Sequence, residues 1–168
     1  MFCCCKNSNE DIVVIDNKHN DDDIIIIDDI DTSQIKRFTF NGETFIAKPC
    51  EIYDGDTLSF VFIHNKNIIK WRCRCKGYDS PEMKPSLNLP NRDVEIKKAK
   101  EAKNRFIELL NNEVVKIKCY EFDKYGRVLV DIFKQDNCNK SINQQMIDEG
   151  HGYPYDGGKK RSTLVDKS

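Results

Sequence analysis

Two short apolar runs with a turn between them constrain this chain more than any other feature. Leu58 to Ile63 and Ile68 to Lys76 are strand-like, and His64-Asn65-Lys66-Asn67 separates them, the pattern of a β-hairpin. A turn centred on Asn65-Lys66 pairs residues whose numbers sum to about 131. Asp56 then lies across from Cys75, beside Arg74, and Asp79 emerges just past the same end of the sheet. Two carboxylates distant in sequence are thereby brought close to an arginine by strand geometry alone.

The flanking pattern extends the sheet. Residues 37 to 53 read as one strand or two, broken at Asn41-Gly42, and Asp54-Gly55 is a second turn signal. Pro81, Pro85 and Pro90 mark an irregular loop. Asp93 to Asn111 repeats apolar residues at helical spacing and stops at Asn111-Asn112. Val114 to Phe122 and Arg127 to Lys134 form a strand pair joined by Asp123-Lys124-Tyr125-Gly126. Asn139 to Glu149 is a second helix with Gly150 at its end. The fold class expected is α+β, mainly β: a five-stranded barrel of the OB type with about two to three helices.

Charge divides the chain. Residues 1 to 34 hold nine acidic residues against two lysines, a net of −7, while the remaining 25 basic and 19 acidic residues give +6. The acidic segment has too little apolar surface to offset the entropy of ordering and is expected to be a disordered tail. The boundaries expected are 1–34 for this tail, 35–158 for the folded domain and 159–168 for a second tail. A basic domain suits a polyanionic partner. The longest apolar runs, such as Ile24 to Ile27, are far shorter than the ~20 residues of a membrane-spanning helix.

Eight cysteines invite a disulfide or zinc reading. Three of them are consecutive, Cys3-Cys4-Cys5, and none forms a Cys-x-x-Cys pair with a histidine partner. Reduced thiols in an intracellular, cytoplasmic protein are the simpler expectation. The Cys3–Cys5 cluster beside Lys6 is a candidate for reversible S-acylation and weak membrane association, with plain thiols as the alternative.

Clustered carboxylates repel one another unless something cationic joins them, and hard oxygen donors suit Ca²⁺ or Mg²⁺. On Asp54-Gly55-Asp56-Thr57 alone, a plain turn is the better reading. Two further blocks raise its specificity: Arg74-Cys75-Lys76-Gly77-Tyr78-Asp79-Ser80-Pro81-Glu82, and Asp123-Lys124-Tyr125-Gly126-Arg127. In order and spacing, and in the helix between the second and third, the three blocks resemble the staphylococcal nuclease (thermonuclease) family across roughly residues 37 to 155.

The resemblance implies a Ca²⁺-dependent phosphodiesterase acting on DNA or RNA, with single strands preferred, as a monomer. It implies that Asp56, Asp79 and the Ser80 carbonyl hold Ca²⁺, and that Glu82 orients or deprotonates water. It further implies that Arg74 and Arg127 bind the scissile phosphate and that Tyr125 lines the nucleotide pocket. Tyr153 and Tyr155 stand where the family places tyrosines over the base. The polar run Arg72-Cys73-Arg74-Cys75-Lys76 departs from aliphatic relatives, and from it Lys76 can reach phosphate. The rival reading is a nucleic-acid-binding module of the same fold with little or no catalysis.

Overall fold

The computed structural model describes residues 30–136 and 138–157. They fall into two units. Up to Phe38, the first contains a short 3-10 turn, Thr32–Gln34, capped by the Asp31 carboxylate accepting from the Ser33 N–H. The Cys3–Cys5 cluster, most of the acidic segment and the stretch after Gly157 lie outside the described residues.

From Thr39 onward the strands are β1 (Thr44–Ile52), β2 (Thr57–His64), β3 (Asn67–Cys75), β4 (Tyr78–Asp79), β5 (Val115–Phe122), β6 (Val128–Lys134) and β7 (Tyr153–Pro154). The helices are α1 (Arg92–Leu110) and α2 (Ile142–Asp148). β1, β2, β3, β6 and β5 close into a barrel, and β4 pairs with β7 in a separate small sheet. The five-stranded, mainly β barrel expected from the sequence is the observed fold.

Its register follows the hairpin. Thr57 faces Arg74, Ile63 faces Ile68 and His64 faces Asn67, with positive φ at Asn65 and Lys66 in the turn. The Cys75 N–H donates to the Asp56 carbonyl at 2.8 Å, continuing the pairing one residue beyond β2. Only one strand follows the Asn41-Gly42 turn, because Thr44 to Ala47 pair with β5 and Ala47 to Ile52 with β2. The second helix starts three residues later than its sequence pattern suggests. Ser141 caps it, its hydroxyl accepting from the Gln144 N–H at 3.1 Å.

Alternation along the strands sends one face inward. Leu58, Phe60 and Phe62 of β2, Val115, Ile117 and Cys119 of β5, and Val128, Val130 and Ile132 of β6 are buried with Phe106 and Leu110 of α1. Each such side chain contributes about 1.5–3 kcal/mol of burial free energy. β3 and β6 run parallel, with Arg74 beside Leu129 and Cys75 beside Val130. That register runs Arg127, just ahead of β6, toward Arg72, and its side chain reaches Thr57, the cross-strand partner of Arg74. The described cysteines form no disulfide, and Cys73, Cys75 and Cys119 are buried.

Candidate active site

The site assembles where β2 begins, β3 ends and β4 crosses. The Asp54-Gly55 turn carries Asp56 into the protein, and this approach needs a glycine. A Cβ on Gly55 would meet the Ser80 Cβ at 2.9 Å and the Ala102 Cβ of α1 at 3.1 Å. The Asp54 carboxylate accepts the Asp56 N–H at 3.1 Å and stabilises the turn. Burial of the side chain is almost complete: Asp56 is 2 % exposed and Asp79 0 %.

Arg74 joins the two carboxylates. Its Nη1 donates to Asp56 Oδ1 at 2.7 Å, and its Nη2 donates to Asp79 Oδ1. The other oxygens are also engaged. Asp56 Oδ2 accepts the Ser80 N–H at 2.9 Å, and Asp79 Oδ2 accepts the Tyr153 hydroxyl at 2.8 Å. The Thr57 hydroxyl donates to Asp56 Oδ1 at 2.8 Å and accepts from Arg127 Nη1 at 3.2 Å. One hydrogen-bonded chain thus runs from Arg127 through Thr57, Asp56, Arg74 and Asp79 to Tyr153.

Burial pushes the Asp56 carboxyl up to about 6, with Arg74 opposing the shift and Asp54 adding to it. Burial also works against the charge of Arg74, but Asp56 and Asp79 outweigh it and hold the guanidinium above its ordinary pKa. For Tyr153, burial and the bond to Asp79 both raise the phenol. Arg127 is anchored from its own turn: Asp123 accepts from its Nε at 2.7 Å and from its backbone N–H at 3.0 Å. Asp123 is lowered because these bonds outweigh the cost of its burial.

A cleft of about 870 Å³ opens over this network, lined by Asp56, Arg74, Ser80, Glu82, Tyr125, Arg127 and Tyr155 among others. Glu82 is solvent-exposed at its edge. Tyr125 is 72 % exposed, and the Arg127 guanidinium lies 5.4 Å from its ring centroid. The Tyr155 ring stands 5.8 Å from the Arg74 guanidinium. Tyr153 is not part of the lining; its hydroxyl is spent on Asp79. Seven of the nine candidate residues therefore line one cleft; Asp79 lies behind it, bonded to Arg74, and Tyr153 is bonded to Asp79.

Asp56, Asp79 and the Ser80 carbonyl are hard oxygen donors, and one arginine between two buried carboxylates leaves a net negative charge. Such donors are the kind a hard divalent cation takes, and in this structure all four carboxylate oxygens accept hydrogen bonds from protein groups. Among the described residues, no group of three or more histidine, cysteine, aspartate and glutamate side chains is placed to hold a metal alone.

Glu95, in the first turn of α1, is the residue sequence reading missed. It is 6 % exposed, which is rare for an unpaired glutamate. Its Oε1 accepts the Glu82 N–H at 3.1 Å, while Oε2 is buried without a hydrogen-bond partner. Burial raises its pKa, Lys98 lowers it and Asp79 adds to the rise. A glutamate among exposed charges at a helix start carries no signal that would single it out in sequence.

The family model described as staphylococcal nuclease homologue matches residues 72–164, which takes in Arg74, Asp79, Glu82 and Arg127 but begins after Asp56. The chain is 31% identical over 93 residues to probable staphylococcal-like nuclease CAN3 of Oryza sativa subsp. japonica, covering 55% of this chain and 21% of that protein. It is 30% identical over 108 residues to staphylococcal-like nuclease CAN1 of Arabidopsis thaliana, covering 62% of this chain and 29% of that one. The chain therefore spans between about a fifth and three-tenths of the length of these curated relatives. With more than half of its residues inside the family model, and with the barrel and buried carboxylate pair described above, this chain belongs to the staphylococcal nuclease homologue family.

Proposed function

We propose that the chain is a Ca²⁺-dependent nuclease that hydrolyses phosphodiester bonds of DNA or RNA, preferring single strands, through attack of water. The observation that carries this reading is the convergence of two buried carboxylates, two anchored arginines and an exposed glutamate on one cleft. The nuclease names of the plant relatives support it.

Each residue has a role its chemistry suits. Asp56, Asp79 and the Ser80 carbonyl would hold Ca²⁺. Bound there, the ion supplies Lewis-acid polarisation of a phosphoryl oxygen and a template for the phosphate. Glu82, exposed at the cleft, takes the proton of the attacking water as general base. Water oxygen bonds to phosphorus, the 5′ P–O bond breaks, and the leaving oxygen takes up a proton as a 5′-hydroxyl, so that a 3′-phosphate remains. Arg127, oriented by Asp123, donates to the phosphate oxygens as their charge grows. Arg74 donates one N–H from each of Nη1 and Nη2 to the carboxylates and a second from Nη2 to the Tyr78 carbonyl, leaving its Nε–H and one Nη1–H for a substrate oxygen. Tyr125 and Tyr155 supply aromatic surface for a base; Tyr153 acts through Asp79.

A nucleic-acid-binding module without catalysis is disfavoured because both carboxylates, both arginines and Glu82 are retained. The purified chain, given millimolar Ca²⁺ and a labelled single-stranded oligonucleotide at mildly alkaline pH, should produce fragments ending in 3′-phosphate. Chelation should stop the reaction and added Ca²⁺ restore it. Cleavage that persists in chelator would overturn the metal assignment, and fragments with 3′-hydroxyl ends would overturn the assigned bond.

A further inference from the structure

The outer face of β5 and β6 carries chemistry that the site above does not use. Lys116, Lys118 and Tyr120 alternate outward along β5, between the buried Val115, Ile117 and Cys119. Across the ladder Lys116 pairs with Phe133 and Lys118 with Asp131. The Lys76 N–H donates to the Val130 carbonyl at 2.8 Å, so Lys76 docks beside the same strand. Its ammonium lies 3.6 Å from the centroid of the Tyr120 ring, and that of Lys118 lies 5.5 Å from the same centroid. The ring itself is held in place: the Tyr120 hydroxyl donates to Asp131 Oδ2 at 2.7 Å, and Asn143 donates to Asp131 Oδ1 at 3.2 Å.

Two cations on one ring repel each other, and among the described residues none of Lys76, Lys116 and Lys118 makes an ion pair with a carboxylate. Asp131, the acid opposite Lys118, is occupied by Tyr120 and Asn143. A solvated lysine face is the usual reading of such a surface. This one differs because it is continuous with the cleft, whose lining includes Lys76 and Leu129. Lysines interleaved with aromatic rings suit single-stranded nucleic acid, whose phosphates take the cations and whose bases take the rings.

We infer that the Lys76–Tyr120–Lys118–Lys116 face is a phosphate-binding track for a single-stranded polynucleotide that extends out of the cleft. The inference rests on the nuclease reading for the position of the scissile phosphate at Arg74 and Arg127. Lys76 and Lys118 contact successive phosphates beyond it, Lys116 reaches one further along, and Phe133 offers an apolar surface to a base. The consequence is a substrate-length preference: long strands engage the track, and dinucleotides do not.

The test uses the full chain carrying Glu82→Gln, so that bound strands survive, with fluorescently labelled oligothymidylate of twelve residues, the matching dinucleotide, and twelve-residue oligouridylate as the RNA arm. Affinities are read by anisotropy across a salt series. Adding Lys76→Ala and Lys118→Ala together should weaken binding of the twelve-mer roughly tenfold and lower the ratio of twelve-mer to dinucleotide affinity. It should also reduce the magnitude of the log–log salt slope by about 1.4, since each lost single-strand phosphate contact removes ~0.7. Lys97→Ala with Lys100→Ala on the exposed face of α1 removes the same charge away from the track and should leave the slope as it was. Equal effects of the two pairs, or an unchanged slope for the Lys76/Lys118 pair, would overturn the track. A wild-type chain that cleaves while the track variant keeps its slope refutes the track alone. A wild-type chain that binds with the lysine-dependent slope but never cleaves refutes hydrolysis and leaves the track standing. No binding at all removes both. A drop confined to the oligothymidylate or to the oligouridylate assigns the track to DNA or to RNA.

Discussion

Asn143 is a buried side chain whose removal has a calculable cost. Its Nδ2 donates to the Lys76 carbonyl at 2.9 Å and the Val130 carbonyl at 2.8 Å, while its Oδ1 accepts the Ile132 N–H at 3.2 Å. Asn143→Ala strands the buried Ile132 N–H and takes a donor from the Val130 carbonyl, which keeps the Lys76 N–H; about 2 kcal/mol of stability should be lost, read as a lower urea midpoint. A change within the scatter of surface substitutions would contradict this arrangement. Glu95 is buried for a different reason. Glu95→Ala removes an unpartnered carboxylate oxygen and frees the Glu82 backbone, so turnover should fall about tenfold with little change in KM. An unchanged turnover would mean that the Glu82 loop holds itself. These two residues also mark what sequence reading cannot reach. Asp56, Arg74 and Asp79 were legible because hairpin register is arithmetic on residue numbers. Asn143 and Glu95 are polar residues on amphipathic helices, and their burial follows from the packing of elements distant in sequence.

At the scale of elements, α1 and α2 are clasped by one ion pair. Arg105 Nε donates to Glu149 Oε2 at 2.6 Å and its Nη2 donates to Oε1 at 3.0 Å. The Arg105 bonds, with Gln145 adding another, hold the Glu149 carboxyl down at about 2 against an ordinary 4.5. A carboxylate depressed in the folded state stabilises it above the ordinary pKa and loses that contribution as pH falls toward the folded value. Wild type should therefore exceed Arg105→Ala in denaturant midpoint at neutral pH, and the gap should close between about pH 4.5 and 2. A gap independent of pH would show that Arg105 acts by packing alone. Helix α1 was legible to within one residue at each end, helped by the left-handed Asn111 at its C-terminus. The two-residue strands β4 and β7 were not, since so short a pairing leaves no alternation to read. Yet they carry the contact between Asp79 and Tyr153, so Tyr153 supports a buried carboxylate where sequence position suggested a base-stacking surface.

For the whole molecule, barrel closure decides where chemistry is possible. The parallel contact of β3 with β6 carries Arg127 within reach of Thr57, the cross-strand partner of Arg74, a long-range arrangement that no local pattern encodes. The resemblance of three sequence blocks anticipated it only because the family shares the fold. The closed barrel holds two buried acids about one arginine, and a cation that binds them must stabilise the folded chain by mass action. At a Ca²⁺ concentration a hundred times its dissociation constant, the gain is about 2.7 kcal/mol, visible as a rise in the thermal midpoint that Asp79→Asn should abolish. Equal rises in wild type and Asp79→Asn would place the ion elsewhere.

The most direct measurement compares wild type and Glu82→Gln in one cleavage assay, each shown to be folded by its thermal transition, on the same labelled single strand with millimolar Ca²⁺. The account predicts cleavage by wild type, none in chelator, and loss of at least about a hundredfold in Glu82→Gln, the scale of general-base catalysis. Folded wild type that leaves the strand intact in Ca²⁺, or Glu82→Gln that cuts at the wild-type rate, would contradict it.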